Sequence, residues 1–279
     1  MQVQYGAVPN PQALGNAIGN AIAGQLQQYG AQFFTADPFA GVNYMLIDQK
    51  PDCIECICPC LGEKKNSYQI SVSEQTGLLA QQQLGIIKEE SECAQRFFCQ
   101  CWRALDLLFI NNQNQILFKA QRIYKVPSVL CLPCERPEMV VSRDSEVIGY
   151  LKQPFMCCGR SECPLPILEE IDICDPSGNT RYFISGEFVQ CGCVTRMCAI
   201  PRCMGPCQYI DYDIYNPMKQ KVGRIRNIFN GCALEYCSKA DKFLVEFPPQ
   251  CTSQDKCLIL FAAITIDYDN FEYTFCNLP

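Results

Sequence analysis

One arrangement recurs along this chain and restricts what it can fold into. Leu105-Asp106-Leu107 runs into the polar stretch Asn111–Asn114 and out through Ile116–Phe118. Ile171-Asp172-Ile173 runs into Asp175-Pro176-Ser177-Gly178-Asn179 and out through Tyr182–Ile184. Tyr212-Asp213-Ile214 runs into Asn216-Pro217 and out through Val222–Ile225. Alternating apolar residues on both sides of a short polar turn read as a β-hairpin. Tyr68–Val72 and Leu78–Lys88, with Glu74–Gly77 between them, read the same way. Several hairpins with no long helical pattern between them predict an antiparallel sheet closed into a barrel or a sandwich.

One late segment breaks the pattern. Residues 253–271 carry the apolar run Cys257–Ile266, with Lys256 before it and Asp267 and Asp269 after it. A bilayer-spanning helix needs about 20 apolar residues. This run is shorter, so it predicts a helix buried within the protein, with Leu258, Ile259, Leu260, Phe261, Ile264 and Ile266 in the core.

The chemistry open to the chain is narrow. Its 279 residues include 23 cysteines and no histidine. No Ser-His-Asp or Cys-His nucleophile pair is possible, and no imidazole base or metal ligand. No catalytic constellation stands out, so an enzyme is not expected. The net charge of -6 argues against nucleic acid as a partner. Neither a G-x-x-x-x-G-K-[ST] nor a G-x-G-x-x-G element occurs, so nucleotide use has no support. Residues 1–36 carry no charge, hence no basic start to a secretory signal. That points to a reducing compartment and mostly free thiols.

The cysteines cluster at 53/56/58/60, 93/99/101, 131/134, 157/158/163 and 191/193/198/203/207. Cys53-x2-Cys56 and Cys131-x2-Cys134 have the spacing of zinc half-sites. The competing reading is S-acylation, which favours cysteines near a membrane surface. Two acyl chains anchor stably where one does not, which gives clustering a purpose. Cys131 and Cys134 follow the apolar Val129-Leu130 and are the first candidates, with Cys157 and Cys158 as helpers. For most other cysteines, inert buried or surface thiols are the expectation.

Residues 1–42 differ from the rest, being rich in Gly, Ala, Gln and Asn, and residues 43–279 form the expected barrel domain. Leu14, Ile18, Ile22 and Leu26 recur every four residues. A flexible tail that turns helical against a protein partner is expected there. Lys219, Lys221, Arg224 and Arg226 form a local basic patch. It reads either as a solvated hairpin face or as a contact for anionic lipid headgroups.

Several landmarks, in order, resemble the phospholipid scramblase family. They are Asn66-Ser67-Tyr68-Gln69-Ile70, then Glu90-Ser91-Glu92-Cys93 with Arg96 and Cys99, then Cys131-Leu132-Pro133-Cys134. Val147-Ile148-Gly149-Tyr150, Gly223-Arg224-Ile225 and the block from Ala240 to Pro248 follow, with the late apolar helix behind them. The resemblance runs from about residue 43 to residue 272 and implies a Tubby-like fold. That fold is a closed antiparallel β-barrel around a central apolar helix.

The resemblance also implies ATP-independent movement of phospholipids between bilayer leaflets. It further implies palmitate on the cysteines near 131–134, a place at the cytoplasmic face of the plasma or another membrane, and calcium as promoter. Of the family's calcium segment Asp241 and Glu246 remain, while Lys239 and Gln250 stand where the family has acids. Calcium takes six to eight oxygen ligands, so this set is thin. A second reading keeps the barrel as a non-catalytic scaffold that binds a membrane or protein and has lost transport.

Overall fold

In a computed structural model, the protein is described at residues 37–50, 65–77, 79–91, 104–123, 138–154, 167–187, 189–197, 202, 205–231 and 240–271. Twelve strands run in chain order: β1 (Tyr44–Gln49), β2 (Ser67–Ser73), β3 (Ala80–Glu90), β4 (Leu105–Asn111), β5 (Ile116–Arg122) and β6 (Glu138–Arg143). They continue with β7 (Glu146–Lys152), β8 (Ile167–Cys174), β9 (Thr180–Glu187), β10 (Tyr209–Tyr215), β11 (Lys221–Ile228) and β12 (Lys242–Glu246). Helix α1 (Cys191–Met197) lies between β9 and β10, and helix α2 (Ser253–Asn270) follows β12.

Every strand pairs antiparallel with its neighbours in sequence, and β1 pairs with β12 to close the barrel. The closing register sets Tyr44 opposite Glu246 and Asp48 opposite Lys242. The fold is therefore the closed antiparallel barrel with a helix at its C-terminal side that the hairpins and the resemblance imply.

The three repeated hairpins share one turn. Asn111, Asp175 and Asn216 each donate a backbone N–H to the carbonyl four residues on. Each also accepts backbone N–H groups with its side-chain oxygen, including that of the residue four ahead. The fourth position has positive φ in all three: Asn114 (63°), Gly178 (87°) and Lys219 (61°). Asn and Asp suit the first position because their short side chains mimic a backbone acceptor. The β6–β7 turn is tighter. Asp144 and Ser145 both have positive φ, as a two-residue turn between twisted strands requires.

Helix α2 fills the barrel. Residues 257–268 are buried without interruption, Leu258, Ile259, Leu260, Phe261, Ile264 and Ile266 among them. A helix apolar on all sides is stable only when walled in on all sides. At β7 the approach is so close that a Cβ on Gly149 would stand 2.7 Å from Leu258 Cδ1. The helix starts on a capping box: Thr252 Oγ1 accepts from Asp255 N, and the Asp255 carboxylate accepts from Thr252 N.

Packing begins before residue 43. Phe39 is fully buried, and its ring stacks 5.8 Å from both Phe109 and Phe118. Phe39 N donates to Asp37 Oδ1, and Lys256 Nζ donates to Phe39 O. Phe39 and Val42 thus belong to the core of the barrel.

Candidate functional site

Strand direction gives the barrel two unlike ends. The β2–β3, β4–β5, β6–β7, β8–β9 and β10–β11 turns all lie at one end, together with the start of α2. The six long connections leave and rejoin at the other end, where α2 finishes. These connections span 50–66, 91–104, 123–137, 153–166, 188–208 and 229–241. They hold every cysteine of the chain except Cys174, Cys251, Cys257 and Cys276.

Cys131, Cys134, Cys157 and Cys158 lie outside the described residues. The strands that bracket them are described. Arg122 of β5 pairs with Met139 of β6, and Lys152 of β7 with Asp172 of β8. Both segments therefore emerge at the same end of the barrel.

Polar side chains concentrate inside this connection end. Tyr68 donates its hydroxyl to Asp267 Oδ2 at 2.7 Å, and Tyr268 donates to Glu89 Oε2 at 2.7 Å. Glu89 and Asp267 are each 1% exposed. Arg122 Nη2 reaches Asp269 Oδ1 at 2.6 Å, and Gln153 Nε2 reaches Asp269 Oδ2 at 2.9 Å. On the outer face, Lys119, also buried, pairs with Asp106 at 2.7 Å. The sequence reading missed Glu89, Arg122 and Lys119. For Glu89 and Arg122 the only sequence signal is an inward position in a strand's alternation, whereas Lys119 sits between the inward Phe118 and Ala120 and so falls on the outer face.

The basic hairpin is largely paired on its own surface. Arg226 forks onto Asp211 at 2.6 and 2.7 Å. Arg224 bridges Asp211 and Glu246, and Lys221 meets Asp213 at 2.7 Å. The Asp211 hydrogen bond, followed by its charge, pushes the Arg226 guanidinium further up. Lys219 stands at the tip of the turn beside Met218, which is 74% exposed. This tip lies at the end opposite the long connections, in the company of Glu74, Asp144 and Asp175 on the other turns.

The calcium acids Asp241 and Glu246 do not come together. Asp241 is buried just before β12, where its Oδ1 accepts from Asn227 Nδ2 and its N–H donates to Gln49 Oε1. Glu246 ends β12 and accepts from Arg224. Five residues of strand separate them by about 16 Å. One ion does not reach both, and each carboxylate already answers a protein donor. The described residues hold no group of three or more carboxylates and thiols arranged for a metal. These two acids do not fit a shared calcium site.

Four described cysteines are free: Cys174, Cys193, Cys251 and Cys257. Burial raises the pKa of each, to about 11 for Cys193 and Cys251. Such thiols stay protonated and unreactive at neutral pH. Cys191 and Cys207 are joined as a disulfide. This one bond stands beside the expectation of mostly free thiols.

Among the described residues no helix is long and apolar enough to cross a membrane. The Scramblase family matches the chain over residues 35–273. Human phospholipid scramblase 1 is 26% identical over 235 residues, which cover 84% of this chain and 64% of the relative. Bovine phospholipid scramblase 2 is 24% identical, covering 84% and 70%. Human phospholipid scramblase family member 5 is 23% identical, covering 81% and 73%. The chain thus spans about two thirds of the length of these relatives. The match covers the whole barrel and its central helix, and it places this chain in the Scramblase family.

Proposed function

We propose that the protein moves phospholipids between bilayer leaflets without ATP while the barrel rests on the cytoplasmic face of a membrane. The observation that carries this reading is the segregation of the long, cysteine-bearing connections to one end of a family-typical barrel. Palmitate on Cys131 and Cys134, helped by Cys157 and Cys158, would reach one flat surface because their segments share that end. Several chains on one face give the stable anchoring that a single chain does not. Lipid headgroups do not pass through the barrel in this reading, because α2 occupies its interior. Movement takes place against the outside of the barrel.

The basic hairpin offers a different orientation. If Lys219 and Lys221 contacted anionic headgroups, the tight-turn end would face the membrane. The ion pairs at Lys221, Arg224 and Arg226 and the acids on neighbouring turns weigh against it. Unchanged binding of K219E/K221E protein to anionic vesicles removes that orientation. The filled interior also supports a second function, a scaffold that kept the barrel and lost transport, with the part of residues 1–42 that precedes the buried Phe39 docking a protein partner.

The deciding experiment follows a fluorescent lipid in liposomes with a membrane-impermeant quencher, with and without calcium. Leaflet exchange in the absence of ATP is the expected result. Folded, membrane-bound protein that exchanges no lipid sinks the transport reading and leaves the scaffold. Replacing Cys131 and Cys134 by serine is expected to release the protein from cell membranes, and unchanged association sinks the anchoring claim.

A further inference from the structure

The Cys191–Cys207 disulfide sits in the connection between β9 and β10, at the barrel end where α2 finishes. It ties the first residue of α1 to the turn Gly205–Gln208 that leads into β10. Helix α1 has only seven residues, too few to be stable without outside attachments.

Its attachments are specific. Gln190, just before α1, exchanges two hydrogen bonds with the backbone of Asp211, each 2.7 Å. Gly192 lets the helix lie so close to β10 that a Cβ there would stand 2.3 Å from Tyr209 O. Cys193 is buried beneath it.

The far end of α1 holds the far end of α2. Arg196 Nη2 donates to the carbonyl of Phe271 at 3.1 Å, and its guanidinium lies 4.2 Å from the centre of the Phe271 ring. Phe271 is the C-cap of α2, packed edge-on against Phe243 and Tyr212. The last turn of α2 contains no basic residue of its own. Arg196 therefore supplies the cation that a helix C-terminus favours.

We propose that Cys191–Cys207 is a thiol–disulfide switch that sets how firmly the C-terminal end of α2 is held. Cys191 is exposed and Cys207 partly so, which leaves the bond open to a small dithiol or a dithiol protein. A thiolate of the reductant attacks one sulfur, the S–S bond breaks, and the released cysteine takes up a proton. The reductant's second thiol then displaces the mixed disulfide. Two electrons pass to the protein, two free thiols remain on it, and the reductant leaves oxidised. Cys193 is two residues from Cys191 but buried, and it stays protonated, its pKa pushed up to about 11 by burial, so it does not trade places in the exchange. Reduction leaves α1 on non-covalent contacts alone and lets Arg196 leave Phe271. The inference stands apart from lipid transport, since it concerns the attachment of the central helix.

The test compares amide hydrogen exchange in oxidised and dithiol-treated protein, with peptide mass spectrometry of unreduced protein to establish the link. Reduction is expected to raise exchange in α1 and at residues 267–271 by about tenfold, the scale of one hydrogen bond to a charged group. Strands β4 and β5 are expected to stay unchanged. The C191S/C207S double variant is expected to show the raised exchange already and no response to dithiol. That outcome assigns the effect to this bond among all the cysteines. C193S is expected to keep the response. R196Q is expected to loosen residues 267–271 with the disulfide intact, which isolates the route. An absent 191–207 link, equal exchange at 267–271 in both redox states, or an R196Q protein with an unaltered helix end each overturns the proposal.

Discussion

At the tight-turn end, α2 begins on its own capping box, and buried Asp255 meets Arg181 of β9 at 3.1 Å. At the connection end it finishes with Asp267 and Asp269, where a helix macrodipole disfavours negative charge. The first end satisfies itself almost locally. The second relies on the barrel wall, drawing on Tyr68 of β2, Arg122 of β5 and Gln153 beyond β7. A helix start can thus be specified by four adjacent residues, whereas this helix finish is specified by residues 75 to 199 positions away.

The largest expected break is Arg122→Met. It leaves the Asp269 carboxylate without its buried cation, and losing one partner of such a pair costs about 3 kcal/mol. Chemical denaturation measures the loss, and exchange is expected to rise at the connection end alone. Asp255→Ala is the mirror experiment. It removes the cap and the acceptor of a half-exposed Arg181, so about 2 kcal/mol is expected, with loosening at the other end.

Smaller effects sharpen the picture of the turns. Asn216→Ala deletes the side-chain acceptor for two backbone N–H groups and is expected to cost about 1 kcal/mol, read from the thermal midpoint. Lys219→Gly relieves a left-handed backbone and is expected to stabilise by about 0.5–1 kcal/mol. The smallest change expected is at Asp48 in the closing seam. Desolvation raises its pKa more than Lys242 lowers it. A raised carboxyl binds its proton more tightly when folded, so its contribution to stability is fully present below the ordinary pKa of 3.8 and is lost as pH rises past it. Asp48→Asn is therefore expected to be neutral in acid and slightly stabilising at pH 7, with equilibrium unfolding at both pH values as the check.

The hairpins were legible because their signal is local. An Asx residue, a polar run and flanking apolar alternation all fall within a dozen residues, and β4–β5, β8–β9 and β10–β11 follow them. The helix was legible because the apolar run Cys257–Ile266, with no charged face, must be enclosed. Closure by β1 and β12 was not readable from the residues, since it joins segments about 200 positions apart and only the resemblance implied it. The site was harder. Asp241 and Glu246 look like one cluster on paper, but a strand spreads five residues over most of the barrel's height. The basic residues look like a patch until the facing strand supplies Asp211 and Asp213. The segregation of cysteines emerged only when strand direction was known, because it is a property of topology.

The segment that fills the barrel comes after all twelve strands in the chain. During synthesis, domains assemble from the N-terminal side as residues appear. The hairpins can form early, since each pairs neighbours in sequence. Their inward faces, however, have nothing to pack on until α2 leaves the ribosome. A chain halted between Glu246 and Ser253 would hold twelve strands around a missing centre. Such a chain would be sticky and open to capture by chaperones, so the commitment to a finished barrel waits for α2.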